Sequence, residues 1–344
     1  MPNITERQKQ ILALVIRDYI ETAQPVSSQR LVDVYELTYS SATVRNEMSA
    51  LTEMGYLRQP HTSAGRVPSE EGYRYFVGQL MGNTDLPVPT KRMIVHQFYQ
   101  AGMDIERWMR LAASVLAHQS QAASVVTAPH SDTSVFKHIE LISTRGRQVL
   151  MVLVMANGEI RQQMLALAEP VTQEQLSQVA QRLNNLYQGL NGESIKTTGK
   201  QLEALEQDIT KLILEEIRQS TKILGSEVYR DGINHVLGDP EFSEEGGARR
   251  ALRILEERSL LEDLITRTML STEFGGVQVL IGGEGTYEEL RDWSVVLARY
   301  GHPDLASGTL GVLGPIRMPY GRTISTVRFV ANLLSNLVVD LNSE

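Results

Sequence analysis

At 344 residues, with 42% hydrophobic and 22% charged side chains, the chain has enough apolar material for two or three cores and is too long for one modest domain. A formal net charge of -8 excludes a wholesale nucleic-acid coat protein, yet leaves room for a small DNA-reading module on an acidic body, because the field that matters is local. The absence of cysteine removes disulfides, thiolate metal sites and a thiol nucleophile together, and fits a reducing cytoplasm.

The opening "MPNITERQKQ" lacks the apolar core of a leader, and a cytoplasmic, membrane-free protein is expected. Thr5 and Gln8 make a capping-box spacing, after which Ile11, Leu12, Val15, Ile16 and Tyr19 return on one helical face. "TAQPVSS" interrupts the pattern, and Ser27 or Ser28 caps a short second helix with Leu31, Val32 and Tyr35 inward. Ser41 is the expected N-cap of a third helix. There Val44, Met48 and Leu51 form a narrow apolar stripe opposite Ala42, Thr43, Arg45, Asn46 and Ser49. "YLRQP" and "GRVP" read as short strands around a polar tip, and "SEEGYRYFVGQLM" as a helix capped by Ser69. Residues 1–81 thus spell a winged helix-turn-helix.

"GNTDLPVPT" (82–90) reads as a linker. Helical sequence is expected from about 91 to 121. Strands follow at "ASVVTA", "FKHIELIST", "QVLMVLVMANG" and "EIRQQMLAL", with an Asn157-Gly158 hairpin between the last two. A helix comes next over about 173–187, and the chain then reads as helical throughout 196–271. Strand character returns at "VQVLIGG", "WSVVLARY" and "TLGVLG", before a closing amphipathic helix over about 323–341. The expected architecture is multidomain α+β. A first part (91–195) and a second part (272–344) form one α+β domain, interrupted by an inserted all-helical domain (196–271). In "EEGGARRALRILEERSLLEDLI" the Leu and Ile positions share one face, which suits a partner helix for dimerisation.

A helix with one apolar stripe and a short polar face fits a major groove. Arg45 has the chemistry for guanine and Asn46 for adenine, while Ser41, Thr43 and Ser49 can donate to phosphates or bases. On the hairpin, His61, Thr62 and Ser63 supply donors, and Arg66 beside Gly65 suits a backbone or minor-groove contact. A solvated face on an ordinary small helical domain would carry the same pattern. Residues 1–80 hold eight Lys and Arg against nine Asp and Glu, so affinity should depend on dimerisation.

The stretches "SSATVRNEM", "GYL", "PHTSAGRVP" and "GYRYFV", together with "DPEF", "IGGEG" and "GPIRMPY", make the chain resemble the HrcA family of bacterial heat-shock repressors along essentially its whole length. The chain departs from the family's usual pattern at Gly285, where Asn is common, and at Trp293-Ser294, where Cys-Ser is common. The resemblance implies a homodimer that binds an inverted-repeat operator of chaperone operons and represses them until heat shock. It further implies a GAF-like central domain, a dimerising insert, and activity maintained by the GroEL chaperonin.

Other chemistries find less support. Gly282, Gly283 and Gly285 invite a phosphate-site reading, but the full glycine motif and a Walker lysine are missing, and a tight turn fits better. His61, His96, His118, His130, His138, His235 and His302 show no metal-ligand spacing. No catalytic residue, metal or cofactor is expected. The "GPIRMPYGR" loop with Arg317 and Arg322 could touch nucleic acid, but reads better as a domain-domain or structural loop. The alternative function is a metabolite-gated regulator with a small-molecule effector in the GAF-like domain.

Overall fold

The Thr5 hydroxyl accepts from the Gln8 amide while the Gln8 side chain answers the Thr5 amide, and α1 (Glu6–Thr22) begins at that capping box. The computed structural model describes residues 4–61, 64–82, 84–130, 135–156, 158–198, 202–220, 227–238, 263, 274–282, 290–302 and 305–341. Ile11, Leu12, Val15 and Ile16 of α1 are fully buried. They pack against α3 (Ser41–Glu53), which also packs on α2 (Ser28–Tyr35). Ser27 caps α2. Ser40, not Ser41, caps α3: its Oγ accepts from the Thr43 amide at 3.2 Å. Both serines have cap chemistry, and the chain leaves extended geometry one residue earlier than the sequence suggested.

Two strands follow, β1 (Leu57–Arg58) and β2 (Val67–Pro68), paired antiparallel as Leu57↔Pro68 and Arg58↔Val67. Ser69 caps α4 (Glu70–Tyr75), which runs on into a single π-helical stretch, Phe76–Leu80. The expected linker ends early. Leu86 is already buried, and α5 (Val88–Gln100) opens with Pro at its first turn, where a missing amide costs nothing. Next comes α6 (Ile105–Ser120).

The chain divides into two units, 1–128 with 228–301 and 308–344, and 129–227 with 302–307. In the first, a five-stranded sheet has the order β7-β3-β10-β9-β8. Its members are β3 (Ala123–Thr127), β7 (Val228–Asp231), β8 (Val277–Ile281), β9 (Trp293–Gly301) and β10 (Ser307–Pro315). A short α10 (Ile233–Leu237) follows β7. The closing helix, α11 (Tyr320–Leu341), packs on β9 and α6. By length and composition α11 could cross a membrane, with a mean hydropathy of 1.3 over its best window. Its Val327, Val330, Ala331, Leu334 and Val338 are instead buried, as in a core helix.

The second unit is a meander, β4 (Phe136–Ser143), β5 (Gln148–Met155) and β6 (Ile160–Ala166), antiparallel throughout. Helices α7 (Gln173–Tyr187), α8 (Gly192–Thr198) and α9 (Ala204–Ser220) accompany it. Phe136, Ile139, Val149, Met151 and Leu153 face Leu176, Leu183, Ile209 and Ile213 in one core. Along the outer edge of β4, side chains of α7 occupy the backbone. Asn184 accepts from the Ile139 amide at 2.8 Å and donates to its carbonyl at 3.0 Å. Gln173 likewise serves the Leu141 carbonyl and the Ser143 amide.

Two expectations need correction. The strands β4–β6 do not extend the sheet that holds β3; with α7, α8 and α9 they lie in a separate unit that begins at about 129, inside the stretch read as the first part of the α+β domain. Alternation in a strand reports which face is buried, not which sheet it joins, and that choice is made by distant pairing. Second, 228–231 lies inside the stretch read as helical yet pairs with β3 through Val228↔Thr127 to Asp231↔Ser124. The proposed dimer helix at 244–265, "DPEF", Gly283, Gly285 and Asn157 lie outside the described residues, save Asp263.

Candidate nucleic-acid interface

Burial of Val44, Met48 and Leu51 turns the opposite side of α3 outward. On it Ala42, Arg45 and Asn46 are exposed and Ser49 is half-buried. The spacing 42, 45, 46 and 49 puts these four on one strip of helix. The one acidic side chain in the middle of α3, Glu47, is diverted: Arg7 Nε donates to it at 2.7 Å and Gln8 Nε2 at 3.0 Å. Both donors lie on α1, so Glu47 ties two helices together and its charge is compensated. Arg7 also sits 5.6 Å from the ring centroid of Tyr39. A second tie, Arg30 Nε to Asp18 Oδ2 at 2.7 Å, joins α2 to α1. Asp18 is only 1% exposed, and this hydrogen bond pushes the Arg30 guanidinium further above its ordinary range. The frame beneath the outward strip is therefore cross-braced.

Among the nine residues singled out from the sequence, Ser41, Arg45, Asn46 and His61 make no side-chain bond among the described residues, and the last three are exposed. Thr43 shares a 2.9 Å hydrogen bond with the Ser40 hydroxyl, and Ser49 donates back to the Arg45 carbonyl at 3.1 Å. Thr62 and Ser63 lie outside the described residues.

Arg66 has a different setting. Its amide donates to the Val26 carbonyl at 2.8 Å and its carbonyl accepts from the Val26 amide at 2.9 Å, so Val26 adds a one-residue third strand to the hairpin. Its guanidinium Nε donates to Thr52 Oγ1 at 3.0 Å, bracing the hairpin base on α3. Gly65 permits this, because a Cβ there would overlap the Val26 carbonyl. Near the tip, Gln59 Nε2 donates to the Ala64 carbonyl at 3.2 Å. Sequence reasoning missed Thr52, Val26 and Ser40. Only Gly65 carried a signal, that of a backbone needing close approach.

The resulting surface offers a guanidinium and a carboxamide side by side on an exposed helix, beside a hairpin with further donors. Among the described residues no group of three His, Asp or Glu lies within reach of one metal ion.

Comparison with known proteins supplies the family. The model described as the HrcA protein C terminal domain matches residues 106–324. The heat-inducible transcription repressor HrcA of Roseiflexus castenholzii is 44% identical over 98% of this chain and 96% of its own length. That of Herpetosiphon aurantiacus is 43% identical, covering 99% and 97%. The protein of the same name from Thermomicrobium roseum is 40% identical over 98% and 97%. A crystal structure described only as a hypothetical protein shares the fold, with a TM-score of 0.58 at 22% identity and 98% coverage of both chains. With relatives of 40–44% identity matched over nearly their whole length and its own, the chain belongs to the HrcA family.

Proposed function

We propose that this chain is a heat-inducible transcription repressor of chaperone operons that binds an inverted-repeat operator as a homodimer. Residues 1–81 act as a winged helix-turn-helix. Helix α3 enters the major groove of one half-site, with Arg45 and Asn46 on base edges and Ser41, Thr43 and Ser49 on phosphates or bases. His61, Thr62 and Ser63 at the hairpin tip contact the flanking backbone, and Arg66 holds the hairpin at its angle to α3. The sheet of the first unit serves as the GAF-like domain, and dimerisation uses the chain between its strands. Regulation acts on the fraction of dimer competent to bind, which the GroEL chaperonin maintains and heat depletes.

The observation that carries the reading is the exposed Arg45–Asn46 pair on a helix whose other side is buried and whose one central acidic residue is tied to α1. Footprinting on the chaperone operons' upstream regions, with and without chaperonin, tests it. Protection of a palindromic segment, stronger with chaperonin and lost on heating, is the expected result. Equal affinity for scrambled duplex would overturn it.

A further inference from the structure

At the α4 helix, Arg74 ties the N-terminal module to the sheet of its own unit. Arg74 Nη2 donates to the Ile281 carbonyl at the end of β8, at 3.0 Å, and to Glu70 Oε2, also at 3.0 Å. Its Nη1 donates to Glu71 Oε2 at 3.2 Å. Three acceptors from two elements are thus held by one planar fork, a geometry that a lysine ammonium cannot reproduce at once.

The neighbouring contacts point the same way. Gly282, with φ +65°, follows Ile281, and a Cβ there would press on the Glu70 side chain, so the glycine lets Glu70 lie against this turn. The Tyr73 ring stands 5.9 Å from that of Tyr320. Tyr320 is itself fixed by hydrogen bonds of 2.6 Å with Ser294 Oγ and 2.7 Å to the Ile316 carbonyl. Past the π-helical stretch, Thr84 Oγ1 donates to the Gly321 carbonyl at 2.8 Å, and Ser325 Oγ lies 2.9 Å from the Thr84 carbonyl. The module is therefore attached through its last helix and again just past it. None of these contacts involves the outward strip of α3, which stays exposed while the attachment is closed. The attachment orients the DNA-facing helix without covering it.

We infer that Arg74 is a positioning residue. By fixing the module on the sheet it sets the half-site spacing that the dimer accepts. This rests on the repressor reading above. A module held rigidly on a symmetric dimer meets only half-sites at one separation and one rotational phase. A module on a free tether follows the DNA around its axis, with a lower effective concentration but little phase dependence.

The test pairs a DNA readout with one that needs no DNA. Inverted repeats whose spacer is lengthened in single base pairs through about half a helical turn are titrated with the wild-type protein and with Arg74→Lys, which keeps a cation beside Glu70 and Glu71. The wild type is expected to lose about tenfold or more in affinity at the half-turn insertion, and Arg74→Lys less than about threefold. In parallel, spin labels at Gln29→Cys and Asn336→Cys, exposed positions in a chain without native cysteine, report the module-to-body distance in protein diluted with unlabelled chain. One narrow distance in the wild-type background, broadened by Arg74→Lys, is expected. An unchanged spacing profile and an unchanged distance distribution in Arg74→Lys would overturn the inference. A wild-type protein that ignores every inverted repeat overturns the repressor reading instead, and the distance measurement then decides the role of Arg74 alone.

Discussion

Arg66 and Thr52, fourteen residues apart, meet through a 3.0 Å hydrogen bond from the guanidinium Nε to the threonine hydroxyl, which in turn donates to the Met48 carbonyl at 2.8 Å. The bond ties the base of the hairpin to α3. A residue engaged in this way has less freedom to follow a phosphate than an arginine at the hairpin tip. Arg66→Ala should therefore cost about 1 kcal/mol of stability, the scale of one hydrogen bond, and weaken operator binding through misorientation. The slope of log affinity against log salt should stay unchanged in titrations of the variant. A slope smaller by about one unit would instead make Arg66 a phosphate contact.

The Arg45 and Asn46 side chains are exposed and make no bond among the described residues. Arg45→Ala and Asn46→Ala should each lower discrimination between operator and random duplex by about 1–3 kcal/mol, the worth of a good base contact. Their thermal melting should match the wild type. Equal losses on specific and random DNA would move the residue to the phosphate backbone.

Ser40 and Ser41 separate stability from recognition. Ser40→Ala removes the acceptor for the Thr43 amide and should cost about 1 kcal/mol, seen as a lower denaturant midpoint. Ser41→Ala should leave the midpoint in place and reduce DNA affinity. The reverse pattern would return the cap to Ser41.

Tyr300 and Tyr320 are fully buried, and burial raises both phenols above the ordinary value of 10.0. A folded-state value above the unfolded one favours the native state below pH 10, and that contribution is lost as pH climbs further. Absorbance titration at alkaline pH should show exposed tyrosines ionising first, then a cooperative step that coincides with loss of helical circular dichroism. Smooth ionisation of every tyrosine with the fold intact would contradict this.

Local chemistry was readable where neighbours in sequence decide the outcome. The Thr5–Gln8 box, the Val44, Met48 and Leu51 stripe and the Ser69 cap all emerge as read. Sheet membership was not readable: the wholly buried β3 and the alternating β4 both read as strands, but neither pattern says which distant strand is the partner. The four-residue β7 is too short to show any period, and its pairing with β3 depends on a partner about a hundred residues away. In the candidate site, exposure of Arg45 and Asn46 followed from the helix period. The Arg66–Thr52 bond had no sequence signal, because fourteen residues and a turn intervene.

The amides of Asn184 and Gln173 on the rim of β4 have a consequence for heated protein. On that rim the Ile139 amide and carbonyl, the Leu141 carbonyl and the Ser143 amide are already taken, which makes it a poor template for a strand from another molecule. The opposite rim, β6, has no such guard among the described residues, and Ile160 and Met164 on it are exposed. Irreversible clumping above the melting point should therefore grow from one side of the meander. Met164→Lys should slow it, with light scattering as the readout, whereas a lysine on the already sealed rim at Ile142 should do little.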